Sequence, residues 1–184
     1  MVKAGDDLYN PLSGETFRIL QTTADTGGAL FAMETCVPPG GTPVPPHLHP
    51  AHTMRLHVMA GALRLWTGWP ANVREYAAGD VISIPPRTTY HWAVTGQEPL
   101  RFVTALEPAG EWEQLFESMC AIGRAAAESK VNPLLASMCV LNRRRDHLYF
   151  AGPPIGLQRV LFASVAALAR RWGYQDHYPY SGGT

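Results

Sequence analysis

The sequence predicts a mainly β protein, an antiparallel sandwich or barrel that is followed by helices. Across the first hundred residues, short strand-forming segments are separated by turns such as Gly27-Gly28 and Pro85-Pro86. No helical pattern is inserted among these segments, which is typical of antiparallel β folds. After Pro108 the apolar residues change to a helical spacing, so we expect a C-terminal helical segment of two to three helices.

Eight strands are predicted between the turns. They cover residues 16–20, 29–37, 54–60, 62–67, 72–77, 80–84, 91–95 and 100–106. The first helix is predicted to begin at Glu111, because the residues after it repeat at the spacing of one helix face. The second begins at Asn132-Pro133, which supply an N-cap and a proline at the first helical position.

The third helix is predicted over residues 155–172. Its apolar stripe consists of Leu157, Leu161, Val165, Leu168 and Trp172. Phe162 and Ala166 widen this stripe, so we expect the helix to bury more than one face, against the barrel wall or a second subunit. A homodimer is therefore expected.

The 184 residues fit one structural domain, with a barrel over residues 1–108 and a helical extension over 109–184. The extension is expected to pack on the barrel or on a dimer partner. Fifteen basic residues balance fifteen acidic ones, so the chain lacks the basic surface that nucleic-acid binding requires. We expect a small-molecule partner and no nucleic acid.

The expected location is the cytoplasm. The N-terminal residues include early acids and no apolar signal-peptide core. The longest apolar stretch, residues 160–169, is shorter than the ~20 residues of a membrane-spanning helix. The three cysteines form neither an even disulfide framework nor a CxxC pair. We therefore expect no transmembrane segment.

Histidines are concentrated in one stretch, with four of the seven between positions 47 and 57. On a strand His47 and His49 point to the same side, because residues two apart share a face. Two neutral imidazoles that face one interior can bind a first-row metal ion. His52 is expected to lie exposed in a loop, and His57 to point away from the interior.

Two segments resemble the motifs of the cupin superfamily. The first contains Gly41, His47-Leu48-His49 and, at the end of the next strand, Gly61. The second runs from Gly79-Asp80 through Pro85-Pro86 to Tyr90-His91. Over roughly residues 15–120 the chain is similar to small single-domain bacterial cupins of the quercetin-dioxygenase-like kind. The resemblance implies a jelly-roll barrel with the histidine pair inside.

The motifs depart from the family pattern at three places. Thr53 or Met54 stands where the family has a glutamate ligand, and Arg87 replaces a glycine. Counted strictly, Tyr90 takes the place of the third ligand histidine, and His91 follows one residue later. Adjacent strand residues face opposite ways, so His91 points inward only if a bulge adds one residue to the turn. Both orientations remain open.

The resemblance implies two kinds of site. In one, His47, His49 and His91 hold a divalent metal, which imidazole chemistry leaves open as iron, nickel, manganese or zinc. In the other, the metal is absent and His47, His49 and Tyr90 act as acid–base groups. With His91, these are the candidate catalytic residues. The predicted substrate pocket is apolar and is lined by Met54, Leu56, Val58, Trp66, Trp92 and Phe102.

The favoured function is that of a small-molecule cupin enzyme, a metal-dependent, dioxygenase-like protein acting on an aromatic or polycyclic substrate. One alternative is a cyclase or isomerase of natural-product, polyketide-like biosynthesis that uses histidine and tyrosine acid–base chemistry. Another is a non-catalytic cupin that binds a ligand. Because the glutamate is missing from the first motif, the sequence leaves the three open.

Overall fold

The computed structural model describes residues 2–41 and 45–180 of the chain. Residues 42–44, which belong to the first motif, lie outside the described residues. The strands are β1 (Asp7–Asn10), β2 (Glu15–Gln21), β3 (Phe31–Val37), β4 (His47–Leu48), β5 (Thr53–Ala60), β6 (Ala62–Thr67), β7 (Asn72–Ala77), β8 (Val81–Ile84), β9 (Tyr90–Thr95), β10 (Leu100–Glu107) and β11 (Tyr149–Phe150). The helices are α1 (Trp112–Ala127), α2 (Pro133–Arg143) and α3 (Ile155–Arg171).

The strands form two sheets whose neighbouring strands all pair antiparallel. One sheet has the order β1-β2-β3-β10-β5-β8 and the other the order β11-β4-β9-β6-β7. Apolar side chains from both sheets share one core, so the two sheets enclose the interior of a jelly-roll barrel. The predicted fold class, a mainly β barrel followed by helices, is confirmed.

Alternating residue types explain how the strands are oriented. In β5, Met54, Leu56 and Val58 are buried, whereas Arg55 and His57 between them are exposed, as period-two packing requires. His57 thus points outward, as predicted. All eight predicted strands are present, and the prediction missed the short strands β1, β4 and β11.

The three helices begin close to their predicted positions. The Asn132 side chain accepts hydrogen bonds from the N–H groups of Leu134 and Leu135, at 3.0 and 3.3 Å, and so caps α2. The prediction that α3 buries more than one face is not met within a single chain. Its buried side is the one carrying Phe162, Ala166 and Ala169, and the apolar stripe that includes Leu157 and Leu168 is exposed.

The C-terminal extension joins the barrel directly. β11 pairs with β4, where Phe150 lies opposite His47, and so extends the second sheet. The division into residues 1–108 and 109–184 stays a prediction. Within the described ranges, no helix has both the length and the apolar character that a bilayer span requires.

Gly61 allows the tight turn between β5 and β6. Its φ of 73° lies in the left-handed region, and a Cβ built there would lie 2.6 Å from the carbonyl oxygen of Pro99. Gly79 also has a positive φ, of 96°, but a Cβ there would meet nothing within 4 Å. A comparison of the two positions therefore distinguishes the cost of positive φ, which both share, from the cost of steric overlap, which only Gly61 has.

Gly61→Ala should lower the free energy of unfolding more than Gly79→Ala. Both substitutions place a side chain at positive φ, which costs about 1–2 kcal/mol. Only Gly61→Ala adds an overlap with the Pro99 backbone, so we expect its total loss to exceed about 3 kcal/mol. Urea denaturation of both variants measures the difference, and equal losses would contradict this account of the turn.

Candidate functional site

Tyr90 lies between two histidines in the interior of the barrel. Its Oη is 2.8 Å from Nε2 of His47 and 2.6 Å from Nε2 of His49. All three side chains are buried. The arrangement follows from the strands, because His47 and Tyr90 are paired across β4 and β9 and His49 lies two residues farther along the same face.

The other ring nitrogen of each histidine fixes its tautomer. Nδ1–H of His47 donates to the carbonyl of Pro45, and Nδ1–H of His49 donates to the carbonyl of His147, both at 2.7 Å. A neutral imidazole has only one N–H, so both Nε2 atoms carry lone pairs. Both lone pairs point at the hydroxyl of Tyr90.

The three side chains therefore lack one hydrogen. The single O–H of Tyr90 can donate to one Nε2 at a time, and the other Nε2 then faces an oxygen lone pair. One added proton would complete the set, since an imidazolium N–H could donate to Oη while Oη donates to the second imidazole. We call His47, His49 and Tyr90 the proton-sharing triad.

Burial keeps the triad neutral near pH 7. Loss of hydration, together with the adjacent His47, lowers the pKa of His49 to about 3. Burial likewise lowers the pKa of His47 and raises that of Tyr90. The site thus holds two unprotonated bases and one protonated phenol.

The triad borders an apolar cavity of about 130 Å³ inside the barrel. Four of the six predicted pocket residues line it, namely Met54, Leu56, Trp92 and Phe102. Val58 is fully buried but does not reach the cavity. Residues of α1, including Trp112 and Phe116, cover the cavity on the helical side.

A family model described as a cupin domain matches residues 33–106, the segment that contains the histidine pair and Tyr90. Residues 33–106 therefore form a cupin domain. No curated protein matches it in sequence.

Several solved structures are similar to this cupin. KdgF from Halomonas sp. is 19% identical, with 58% of this chain and 92% of that chain covered and a TM-score of 0.48. Oxalate decarboxylase of Bacillus subtilis is 22% identical, with 52% and 26% covered and a TM-score of 0.46. The cupin chain therefore spans about a quarter of that decarboxylase. At these identities neither likeness indicates an activity.

The turn before β9 decides which residue of the second cupin motif enters the site. Arg87, at the position of the motif glycine, has a φ of 65° and takes the left-handed conformation that favours glycine. Its N–H donates to the carbonyl of His49 at 2.8 Å, which fixes the turn against the first motif. The turn therefore holds no extra residue, and Tyr90 points inward.

His91 accordingly lies on the opposite face of β9, away from His47 and His49. It stacks on Trp66 with ring centroids 4.5 Å apart and an angle of 6° between the rings. Trp66 therefore also lies outside the interior cavity to which the sequence assigned it. Both rings line a separate outer pocket of about 670 Å³, beside Trp69.

The donors present do not fit the predicted three-histidine metal site. The Tyr90 oxygen occupies the point on which the two Nε2 lone pairs converge, and burial opposes its ionisation to a phenolate ligand. At the position of the family's glutamate, the Met54 sulfur is 3.3 Å from the Tyr90 hydroxyl. Within residues 2–41 and 45–180, no group of three His, Cys, Asp or Glu side chains could hold a metal ion.

A second pair of histidines lies behind the triad. His52 is only 3% exposed, so the prediction of an exposed loop histidine was wrong. Its ring centroid is 4.9 Å from that of His147, and Trp112 contacts both rings. His147 was not predicted as a site residue, yet its carbonyl orients His49 and its Nε2 accepts a hydrogen bond from the N–H of Glu111.

The buried histidines should make the protein sensitive to mild acid. Burial lowers the pKa of His49 and of His147 to about 3, below the ordinary value of about 6.5 in an unfolded chain. Between these values the unfolded chain binds more protons, so stability falls as the pH falls. Each such histidine removes up to about 1.4 kcal/mol per pH unit.

Urea denaturation between pH 6.5 and 5 measures this dependence. We expect His147→Gln to reduce the slope of unfolding free energy against pH. His57→Gln, at an exposed position, should leave the slope unchanged. Equal slopes for the wild type and His147→Gln would contradict the assignment.

Proposed function

We propose that this cupin is a small-molecule enzyme of the isomerase or cyclase type, which moves a proton through Tyr90 with His47 and His49 as bases. One observation carries the proposal, namely that a single hydroxyl lies within hydrogen-bond distance of two unprotonated imidazole nitrogens. Both imidazoles are unprotonated near pH 7 and so are free to accept a proton, and the hydrogen bonds that the protonated triad gains offset part of the burial that lowers their pKa.

The proposed transfer starts at a carbon next to a substrate carbonyl. Its proton bonds to Oη of Tyr90 while the hydroxyl hydrogen passes to Nε2 of His49, 2.6 Å away. The electron pair of the broken C–H bond forms the enolate. The new hydroxyl hydrogen can then donate to His47, so the proton missing from the triad is supplied. Return of the proton to another atom completes an isomerisation or ring closure, with no oxidant.

The cavity supports a small apolar substrate. Its volume of about 130 Å³ is similar to that of protein cavities that accept one benzene-sized ring. Its walls carry Trp92, Phe102 and Met54, which contact rings and alkyl groups favourably. We therefore propose a single-ring carbonyl compound, rather than a polycyclic one, as the substrate class.

Metal-dependent dioxygenation, expected from the family resemblance, is supported less well by this donor set. His91 lies on the other face of β9, and the Tyr90 hydroxyl lies between the remaining two histidines. A small-molecule partner and a cytoplasmic location remain predictions from the sequence.

Exchange of hydrogen for deuterium tests the proton transfer directly. Cyclohexanone and acetophenone, incubated with the protein in D2O, should gain deuterium next to the carbonyl, equally in air and under nitrogen. Tyr90→Phe should lower the exchange rate by at least about 100-fold, because general acid–base groups contribute about 10²–10⁴. NMR of the ketone measures the rate.

Tyr76→Phe, on β7, is the matched control and should retain the rate. Near-ultraviolet circular dichroism checks that both variants are folded. Ketones that bind without exchanging would favour the non-catalytic, ligand-binding cupin. Exchange unaffected by Tyr90→Phe would remove the triad from the mechanism.

Metal content is a second, independent measurement. Protein purified without an affinity tag should contain well below one equivalent of iron, nickel, manganese or zinc, and a chelator should leave its melting temperature unchanged. One equivalent of metal that disappears in His49→Ala would instead support the metal-dependent, dioxygenase-like function.

A further inference from the structure

The solvent-facing side of α3 is apolar. Its large side chains are 48% to 64% exposed, and they are Leu157, Val160, Leu161, Leu168 and Trp172. At 3.6 residues per turn they fall within one third of the helix circumference. The opposite side, with Phe162 and Ala166, already packs within the chain. Contiguous exposed apolar surface of this kind marks an interaction site.

The stripe is symmetric about its own midpoint, between Ser164 and Val165. Leu157 and Trp172 are equally distant from this midpoint, and so are Leu161 and Leu168. A two-fold axis through the midpoint would therefore place large side chains against large ones. The exposed Ser164 at the centre is small enough to let two helices approach closely. Self-complementarity of this kind is what a two-fold interface requires.

The charges on α3 favour a second copy over an anionic membrane. Arg159 and Arg170 point away from the stripe and lie 3.9 and 2.8 Å from the carboxylates of Asp146 and Asp176. Arg171 is the charged residue at the end of the stripe. A helix that binds anionic lipid carries a strongly basic face, and here two of the arginines already have acidic partners.

The area is sufficient for a dimer. At their exposed fractions the five side chains present roughly 600 Å² per chain, so a symmetric pair would bury at most about 1,200 Å², the lower limit for stable interfaces. Removing this apolar area from water favours association, against the cost of holding two chains together.

We infer that two copies of the chain form a two-fold dimer in which α3 packs antiparallel against α3 of the second copy, with Ser164 at the axis. The inference is independent of the proposed function, because the stripe is not part of the triad or of the interior cavity.

Light scattering during size-exclusion chromatography tests the dimer. The wild type at 50 µM should have twice the 20.1 kDa of one chain. Leu161→Glu places a charge in the stripe and should give the monomer. Leu12→Glu changes an equally exposed leucine that lies outside α3, and it should leave the dimer intact. A monomeric wild type, or a dimer that persists in Leu161→Glu, would overturn the inference.

Disulfide cross-linking locates the axis. In a Cys36→Ser background, which removes the half-exposed cysteine, Ser164→Cys should form a covalent dimer on mild oxidation. Arg159→Cys, on a different side of α3, should remain monomeric on non-reducing gels. Equal cross-linking at both positions would overturn the geometry. Co-sedimentation of a monomeric wild type with anionic phosphatidylserine vesicles would assign the stripe to a membrane and reject the dimer.

Discussion

The shared hydrogen bond at Tyr90 connects parts of the chain that are far apart in sequence. Each histidine that reaches the hydroxyl is held from behind by a carbonyl, that of Pro45 for His47 and that of His147 for His49. The site therefore depends on segments near residues 45, 90 and 147 taking their places together. The family match ends at residue 106, yet the extension supplies one of the groups that set the tautomer of the site.

The same burial has two opposing effects. It removes water from the imidazoles and so disfavours their protonation, and it also strengthens the hydrogen bonds that an added proton would make. The first effect holds the resting triad neutral. The second stabilises the protonated triad once a proton arrives, since each ring nitrogen and the Tyr90 hydroxyl then has a hydrogen-bond partner.

Period-two alternation explains why the barrel could be predicted from the sequence. In β5 the buried and exposed residues alternate without exception, and the same rule places His47 and His49 on one face. Short strands such as β4 and β11 have too few residues to show a period. The choice between Tyr90 and His91 could not be predicted, because it depends on how many residues the turn before β9 holds, and the residue types of β9 do not indicate that number.

Burial that arises from packing between distant elements also could not be predicted from the sequence. His52 looks like a loop residue, and it is buried because α1 and His147 pack over it. For α3 the opposite happened, because residues that were expected to be buried are exposed in the single chain. Periodicity located Leu157, Leu161 and Leu168 on one side of the helix, but it does not indicate which side the rest of the chain covers.

The length of the turn at Arg87 determines which side chain of β9 lies beside the histidine pair. Removal of one residue between Arg87 and Tyr90 would shift β9 by one position, so that His91 would take the place of Tyr90 beside His47. The same shift would turn the buried Trp92 outward, and the interior cavity would lose part of its aromatic wall. The length of this one turn therefore sets two properties together, namely the polar group beside the histidine pair and the shape of the cavity next to it.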